Sequence, residues 1–214
     1  MEVTNRLVRR TEFSHSNLMA QLTALPDEDL IAHFQGGTVE AFNLIVDRYS
    51  NRLGSYLYNF VHDWDKAEDL LQETFIRVYR NRYAYTPIAR FSTWIYTIAG
   101  NLARSEYRKV KSRKTQSLEA LGAGGETFDI PLPDEQFAAD LRAEERVYHD
   151  QISRAIDKLS PAFQEAIVLR DIQQLTYDEI AQITGLPMGT VKSRINRART
   201  KLQSLLQPIY MAEA

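Results

Sequence analysis

No cysteine occurs among the 214 residues, which excludes disulfides, thiolate metal sites and thiol-based redox sensing for this chain. No apolar run approaches the roughly 20 residues that a membrane-spanning helix requires. The amino terminus lacks the continuous apolar core of a secretory signal. These absences predict a soluble, cytoplasmic protein with no membrane insertion. A dominant charge is missing too, since 26 basic and 28 acidic residues leave a formal net charge of −2. A nucleic-acid function therefore has to rest on local patches rather than on the total. His15, His33, His62 and His149 are isolated from one another, and they read as surface or boundary residues, with no metal site. What is present is an ordinary globular composition, 44% apolar and 25% charged, in a chain long enough for one or two domains with cores.

The local patches are pronounced. Residues Arg104 to Lys114 hold six basic residues against Glu106, whereas Ser117 to Asp150 hold nine acidic residues against Arg142 and Arg146. Basic and acidic stretches alternate along the chain and cancel in the sum.

The clearest stretch is LTYDEIAQITGLPMGTVKSRINRARTKL, from Leu175 to Leu202. Thr176 with Glu179 three residues on predicts a capping box opening a short helix that carries Ile180, Ala181 and Ile183. Gly185 supplies a left-handed stop, and Pro187 suits the start of a second helix. At helical pitch Val191, Ile195, Ala198 and Leu202 share one side. Thr190, Ser193, Asn196, Arg197 and Thr200 gather opposite, flanked by Lys192, Arg194, Arg199 and Lys201. From Pro187 to Lys201 there are five basic residues and no acidic one. That pattern predicts a recognition helix, its polar face meeting base edges and its rims meeting phosphates. The plainer reading, a solvated amphipathic helix in a bundle, does not explain why cap, turn and cationic face occur together.

Upstream, residues 1–25 read as an arm, helical from about Asn17. Asp27 or Asp29 is expected to cap a helix bearing Leu30, Ile31 and Phe34 and stopped by Gly36 and Gly37. Val39 to Val61 forms a second helix, with Phe42, Ile45, Val46, Tyr49, Leu53, Leu57 and Phe60 as its core face. Asp63 to Arg82 forms a third, whose buried stripe of Ala67, Leu70, Leu71, Phe75 and Val78 leaves an outer band of Glu68, Asp69, Gln72, Glu73, Arg77 and Arg80. A connection from Tyr83 to Ala89 leads into RFSTWIYTIAGNLARSEYRK, where Phe91, Trp94, Ile95, Ile98 and Leu102 face the core beside a stripe of Arg90, Thr97, Asn101, Arg104 and Arg108. Cations, an amide and loop tyrosines, Tyr83 and Tyr85, are what an unstacked base on a single strand requires. The acidic stretch that follows reads as a linker. Helical periodicity resumes through Val147, Ile152, Ile156 and Leu159, and Ser160-Pro161 opens a helix with Phe163, Ile167, Val168 and Leu169 inside.

Five segments in this order, DEDLIAHFQGGTVEAFNLIVDRY, AEDLLQETFIRVYR, FSTWIYTIAGNLARSEYRK, LSPAFQEAIVLRDIQQLTYDEIA and GLPMGTVKSRINRAR, resemble the extracytoplasmic-function (ECF, group IV) sigma factors of the bacterial sigma-70 family. The resemblance covers roughly Pro26 to Gln207. It implies an all-α protein of two small helical domains joined by a flexible acidic linker: an arm (1–25), a region 2 domain (26–112), the linker (113–145), a region 4 helix-turn-helix domain (146–208) and a tail (209–214). It implies no enzyme activity and no cofactor. The implied partners are promoter DNA, an anti-sigma protein and RNA polymerase core, through the clamp helices of its largest subunit and the flap of the second-largest.

The resemblance also implies residue roles. Asp69, Gln72, Glu73 and Arg77 would dock on the polymerase. Tyr85, Ile88, Ala89, Arg90, Phe91, Asn101, Arg104 and Arg108 would serve the minus-ten element and its flipped base. Thr190, Lys192, Ser193, Asn196, Arg197 and Arg199 would serve the minus-thirty-five element. Ser105 and Pro87-Ile88-Ala89 depart from the usual family pattern. A conventional repressor or activator would need a ligand, receiver or dimerisation module that the first half does not resemble. A metal-dependent DNA-processing enzyme would need a third acid beside Asp69 and Glu73.

Overall fold

The computed structural model describes residues 18–121 and 151–212, and the regular structure among them is helical. In chain order these are α1 (18–23), α2 (Asp27–Gln35), α3 (Val39–Val61), α4 (Trp64–Arg80), a 3-10 turn (Arg82–Ala84) and α5 (Phe91–Leu121), followed by α6 (151–157), α7 (Pro161–Ile167) continued by a π turn (Val168–Ile172), α8 (Tyr177–Thr184) and α9 (Met188–Ala212). No described helix is long and apolar enough to cross a membrane.

In the first domain α2, α4 and α5 surround α3, whose Ile45, Leu53, Tyr56 and Leu57 are fully buried. Burial of such side chains is worth about 1.5–3 kcal/mol each, so the periodic apolar face of this long helix organises the domain. The last part of the expected arm, residues 18–25, belongs to the packed domain. Leu22 is buried in the core and Leu18 and Leu25 pack against it, while residues 1–17 lie outside the described part.

The helix starts are set partly by local and partly by distant groups. Asp63 accepts the Lys66 N–H at 3.2 Å and caps α4. Neither Asp27 nor Asp29 caps α2, whose cap position is Pro26, with no side-chain bond. Asp27 instead accepts from Arg48 at 2.7 Å and the Tyr49 hydroxyl at 2.6 Å, binding α2 to α3. Glu28 accepts the Phe91 N–H at 2.9 Å, at the start of α5. Acids in a first helical turn that have strong donors on neighbouring helices use those instead of their own backbone. α4 ends at Arg80, two residues before the expected Arg82, because the chain tightens into the 3-10 turn.

α5 continues past 112 to Leu121, so the start of the expected linker is helical, and the rest of it from 122 lies outside the described residues. Ile152, expected in the core, is 41% exposed, whereas Ile156 and Leu159 are buried. Val147 lies outside the described residues. The two domains are packed together, α5 against α8 and α3 against α7. Tyr96, Ala99 and Ala103, all fully buried, form a second face of α5 that periodicity did not reveal. Small residues and a tyrosine make no apolar stripe, yet they let another helix approach closely.

Candidate nucleic-acid interface

The helix-turn-helix forms as its sequence dictates. The Thr176 hydroxyl accepts the Glu179 N–H at 3.3 Å while Glu179 accepts the Thr176 N–H at 2.7 Å, a complete capping box. Gly185 sits at φ 69° and closes α8. Val191, Ile195 and Ala198 are buried, Leu202 packs against them, and Lys192, Ser193, Asn196, Arg197 and Thr200 are exposed. Thr190 is half-buried and accepts, through its carbonyl, the Ser193 hydroxyl at 3.0 Å. The aliphatic side of α9 is thus anchored, and its opposite side presents amide, hydroxyl and guanidinium groups to solvent.

Of the flanking cations, Arg199 donates bidentately to Asp171, and Arg194 lines a cavity together with Asn101, Arg104 and Glu165. As an exposed pair, Arg199–Asp171 is worth about 0–1 kcal/mol, little enough for a phosphate to displace the carboxylate. Replacing Thr176 by alanine should remove the cap and destabilise the chain by about 0.5–2 kcal/mol, read as a lower urea midpoint with unchanged slope.

In the first domain the candidate residues divide. Ile88 is 93% exposed at the tip of the loop, and Arg90 and Arg108 are exposed. Ala89 is half-buried, and Tyr83 is exposed beneath the Arg82 guanidinium, 4.5 Å from its ring centroid. Tyr85 and Phe91 are instead core residues, 5% and 0% exposed. The Tyr85 hydroxyl donates to the Ala89 carbonyl at 2.9 Å and its ring packs on Phe91 and Trp94. Tyr85 therefore shapes the loop from within, and base stacking from this position is not available to it. Packing against Phe91 and Trp94 holds the Tyr85 ring inward.

Asn101 is exposed, and its Oδ1 accepts from Arg104 at 2.8 Å. The same guanidinium donates to the Ile183 carbonyl of α8 at 3.0 Å and pairs with Glu165 of α7. Glu165 also accepts the Tyr56 hydroxyl at 3.2 Å. Burial pushes the Glu165 carboxyl above the ordinary carboxylate range, and Arg104 opposes that shift. Gly100 makes the arrangement possible, because a Cβ there would lie 2.8 Å from the Tyr56 hydroxyl and 3.0 Å from Arg104. Arg52 and Tyr96 both donate to the buried Gln173 carboxamide, at 3.0 and 2.7 Å. Thr93 and Arg90 approach the carboxylate of Glu179 at 3.5 and 3.7 Å. Arg52, Glu165, Gln173 and the second role of Glu179 were absent from the sequence reading. Only Glu179 carried a signal, as a cap.

Along α4, Asp69 and Gln72 are exposed, and Glu73 pairs with Arg77 one turn later at 2.7 Å. No group of three or more His, Asp or Glu side chains that would hold a metal ion occurs among the described residues. The outer band of α4 is a solvated, mixed-charge helical surface.

An all-helical chain ending in a capped helix-turn-helix with an exposed cationic face defines a sequence-reading DNA-binding protein. Residues 149–202 match the family described as Sigma-70, region 4, and residues 45–113 match Sigma-70 region 2. The ECF RNA polymerase sigma-E factor of Haemophilus influenzae is 33% identical over 193 residues, 86% of this chain and 97% of that protein. The RNA polymerase sigma-H factor of Pseudomonas aeruginosa is 32% identical over 193 residues, 88% and 97%. Among solved structures, CnrH in complex with the cytosolic domain of CnrY matches with a TM-score of 0.60 and 25% identity over 85% of this chain and 97% of that one. The sigma factor RpoE in complex with the anti-sigma factor NepR from Bartonella quintana matches with a TM-score of 0.59 and 27% identity, over 78% and 96%. The chain belongs to the ECF sigma factors of the sigma-70 family, and it is a promoter-directing transcription initiation factor rather than a conventional helix-turn-helix regulator.

Proposed function

We propose that the chain acts in the cytoplasm, without bond chemistry of its own, as a two-point grip on promoter DNA carried by RNA polymerase core. The observation that supports it best is the exposed face of α9, with Ser193, Asn196 and Arg197 projecting from a helix whose other side is buried. In this reading Thr190, Lys192, Ser193, Asn196 and Arg197 meet the major groove of the minus-thirty-five element, and Arg199 meets a phosphate after leaving Asp171. Ile88, Ala89, Arg90, Asn101, Arg104 and Arg108 hold an unpaired non-template base of the minus-ten element, with Phe91 and Tyr85 supporting the loop from the core. Asp69, Gln72, Glu73 and Arg77 dock on the clamp helices of the largest polymerase subunit, and the second domain reaches the flap of the second-largest. An anti-sigma protein is the expected antagonist, since the solved relatives include sigma factors bound to such partners.

The test is transcription by purified core polymerase plus this chain alone, from a promoter found by selection with the reconstituted holoenzyme. Initiation at a defined start is the expected result, and none would sink the reading. A charge reversal at Glu73 to lysine breaks an exposed pair worth at most about 1 kcal/mol, so the melting temperature should hardly move. Its affinity for core polymerase should nevertheless fall measurably in a competition assay, and equal affinity would remove α4 from the docking surface.

A further inference from the structure

The loop that carries Ile88 is held at both ends by α2, a helix far from it in the chain. At the entry, the Gln35 carboxamide donates to the Arg82 carbonyl at 2.7 Å and to the Tyr85 carbonyl at 3.1 Å. At the exit, Glu28 accepts the Phe91 N–H at 2.9 Å, a donor for which the first turn of α5 offers no intrahelical partner. The Phe34 ring adds a third tie, its centroid 5.2 Å from the Arg82 guanidinium. Glu28 and Gln35 lie seven positions apart in α2, which places them on one face and about 10 Å apart along the axis.

Thr86 to Arg90 span the gap between the two ties, and Thr86, Pro87, Ile88 and Arg90 are exposed. The Tyr85 hydroxyl, bonded to the Ala89 carbonyl at 2.9 Å, closes the span on itself. Connecting segments ordinarily run free over a surface. Here the ends hang on a helix whose Leu30, Ile31 and Phe34 are buried in the core. A short exposed tip on fixed ends is preset for its ligand, and presetting lowers the ordering entropy that opposes binding. It also sharpens choice among bases, because their edges are told apart by the positions of donors and acceptors.

We infer that Glu28 and Gln35 are positioning residues for base choice: two turns of α2 set the spacing of the loop ends, and with it the shape that Ile88, Ala89 and Arg90 present to the unpaired minus-ten base. The inference rests on the reading of this loop as part of the minus-ten site. Both side chains act through the backbone, and the base meets the residues that this backbone carries.

The experiment uses holoenzyme reconstituted from core polymerase and the full chain. Anisotropy follows binding of labelled non-template single strands that differ only in the base at the captured position, and the readout is the ratio of affinities for the best and next-best base. Gln35→Ala and Glu28→Ala should each lower that ratio about two- to tenfold, the range set by the net worth of one intramolecular hydrogen bond. Affinity for core polymerase and for a minus-thirty-five duplex should stay at the parent values. Glu28→Gln keeps an oxygen acceptor for the Phe91 N–H and should preserve the ratio. Gln35→Glu keeps the size of the side chain but removes both donors and sets a carboxylate against two carbonyls, so it should lower the ratio at least as far as Gln35→Ala. A nitroxide on Thr86→Cys, an exposed position in a chain without native cysteine, should become more mobile when Gln35→Ala is added.

If Gln35→Ala loses its helical circular dichroism, Glu28→Ala carries the same measurements. An unchanged ratio or an unchanged nitroxide in folded variants would overturn the inference, and so would an equal fall for Glu28→Gln and Glu28→Ala. Ile88→Ala and Arg90→Ala keep the two ideas apart. If these loop variants retain the parent ratio, the minus-ten reading of the loop fails and the inference falls with it. If they lower the ratio while folded Gln35→Ala and Glu28→Ala retain it, the inference alone falls.

Discussion

Phe91→Ala is expected to destabilise the chain by about 3–5 kcal/mol, lowering its melting temperature by roughly 6–20 °C for a chain of this size. The ring is fully buried, with Tyr49, Tyr85 and Trp94 centred 5.6, 5.6 and 5.8 Å away. Truncation therefore removes both the transferred surface and the support of the loop that follows the 3-10 turn. Tyr85 would lose the partner that holds it inward, and the loop tip at Ile88 would lose its base. The control is Ile88→Ala. That side chain is 93% exposed, so its loss should change stability by no more than about 0.5 kcal/mol while altering single-strand binding by the holoenzyme. Thermal melts by circular dichroism read the first effect and anisotropy the second. Equal destabilisation by the two variants would mean that the loop and the core beneath it had been misassigned.

Ile195→Ala makes the corresponding division in the second domain. Ile195 is 1% exposed and lies between Val191 and Ala198 on the buried side of α9. Its truncation should cost about 2–5 kcal/mol and should weaken binding to every duplex, because the whole recognition helix loses its seat. Arg197, two residues on, is exposed. Arg197→Ala should leave the urea midpoint almost unchanged, yet reduce discrimination at one base pair by about 1–3 kcal/mol. The pair separates a residue that positions the helix from one that reads sequence. If Arg197→Ala instead weakened all sequences alike and lowered the salt slope, it would be a phosphate contact.

The parts legible in advance were those governed by near neighbours. The capping box of Thr176 and Glu179, the left-handed Gly185 and the bounds of α3 each depend on residues within one or two turns, so the order of residues specified them. The faces of α9 were legible for the same reason, since one helix has only one way to place Val191, Ile195 and Ala198 together. The expected cap of α2 by Asp27 failed because its carboxylate found donors at Arg48 and Tyr49. Those donors are distant in the chain and compete successfully with the local backbone. Tyr85 misled for a related reason: an aromatic in a short loop between helices can face either way, and packing against Phe91 and Trp94 decided its direction.

The sequence by itself determined an all-helical chain, a DNA-reading helix-turn-helix and the family to which both halves belong, because periodicity, caps and turn residues act over a few positions. Only the tertiary structure decided which of the polar residues on α5 are free. Arg104 is committed to Glu165 and to the Ile183 carbonyl, and Tyr96 to Gln173. A hydrogen-bonding group leaves water only for a partner at about 3 Å, and which partner arrives there is settled when two separately encoded helical surfaces meet.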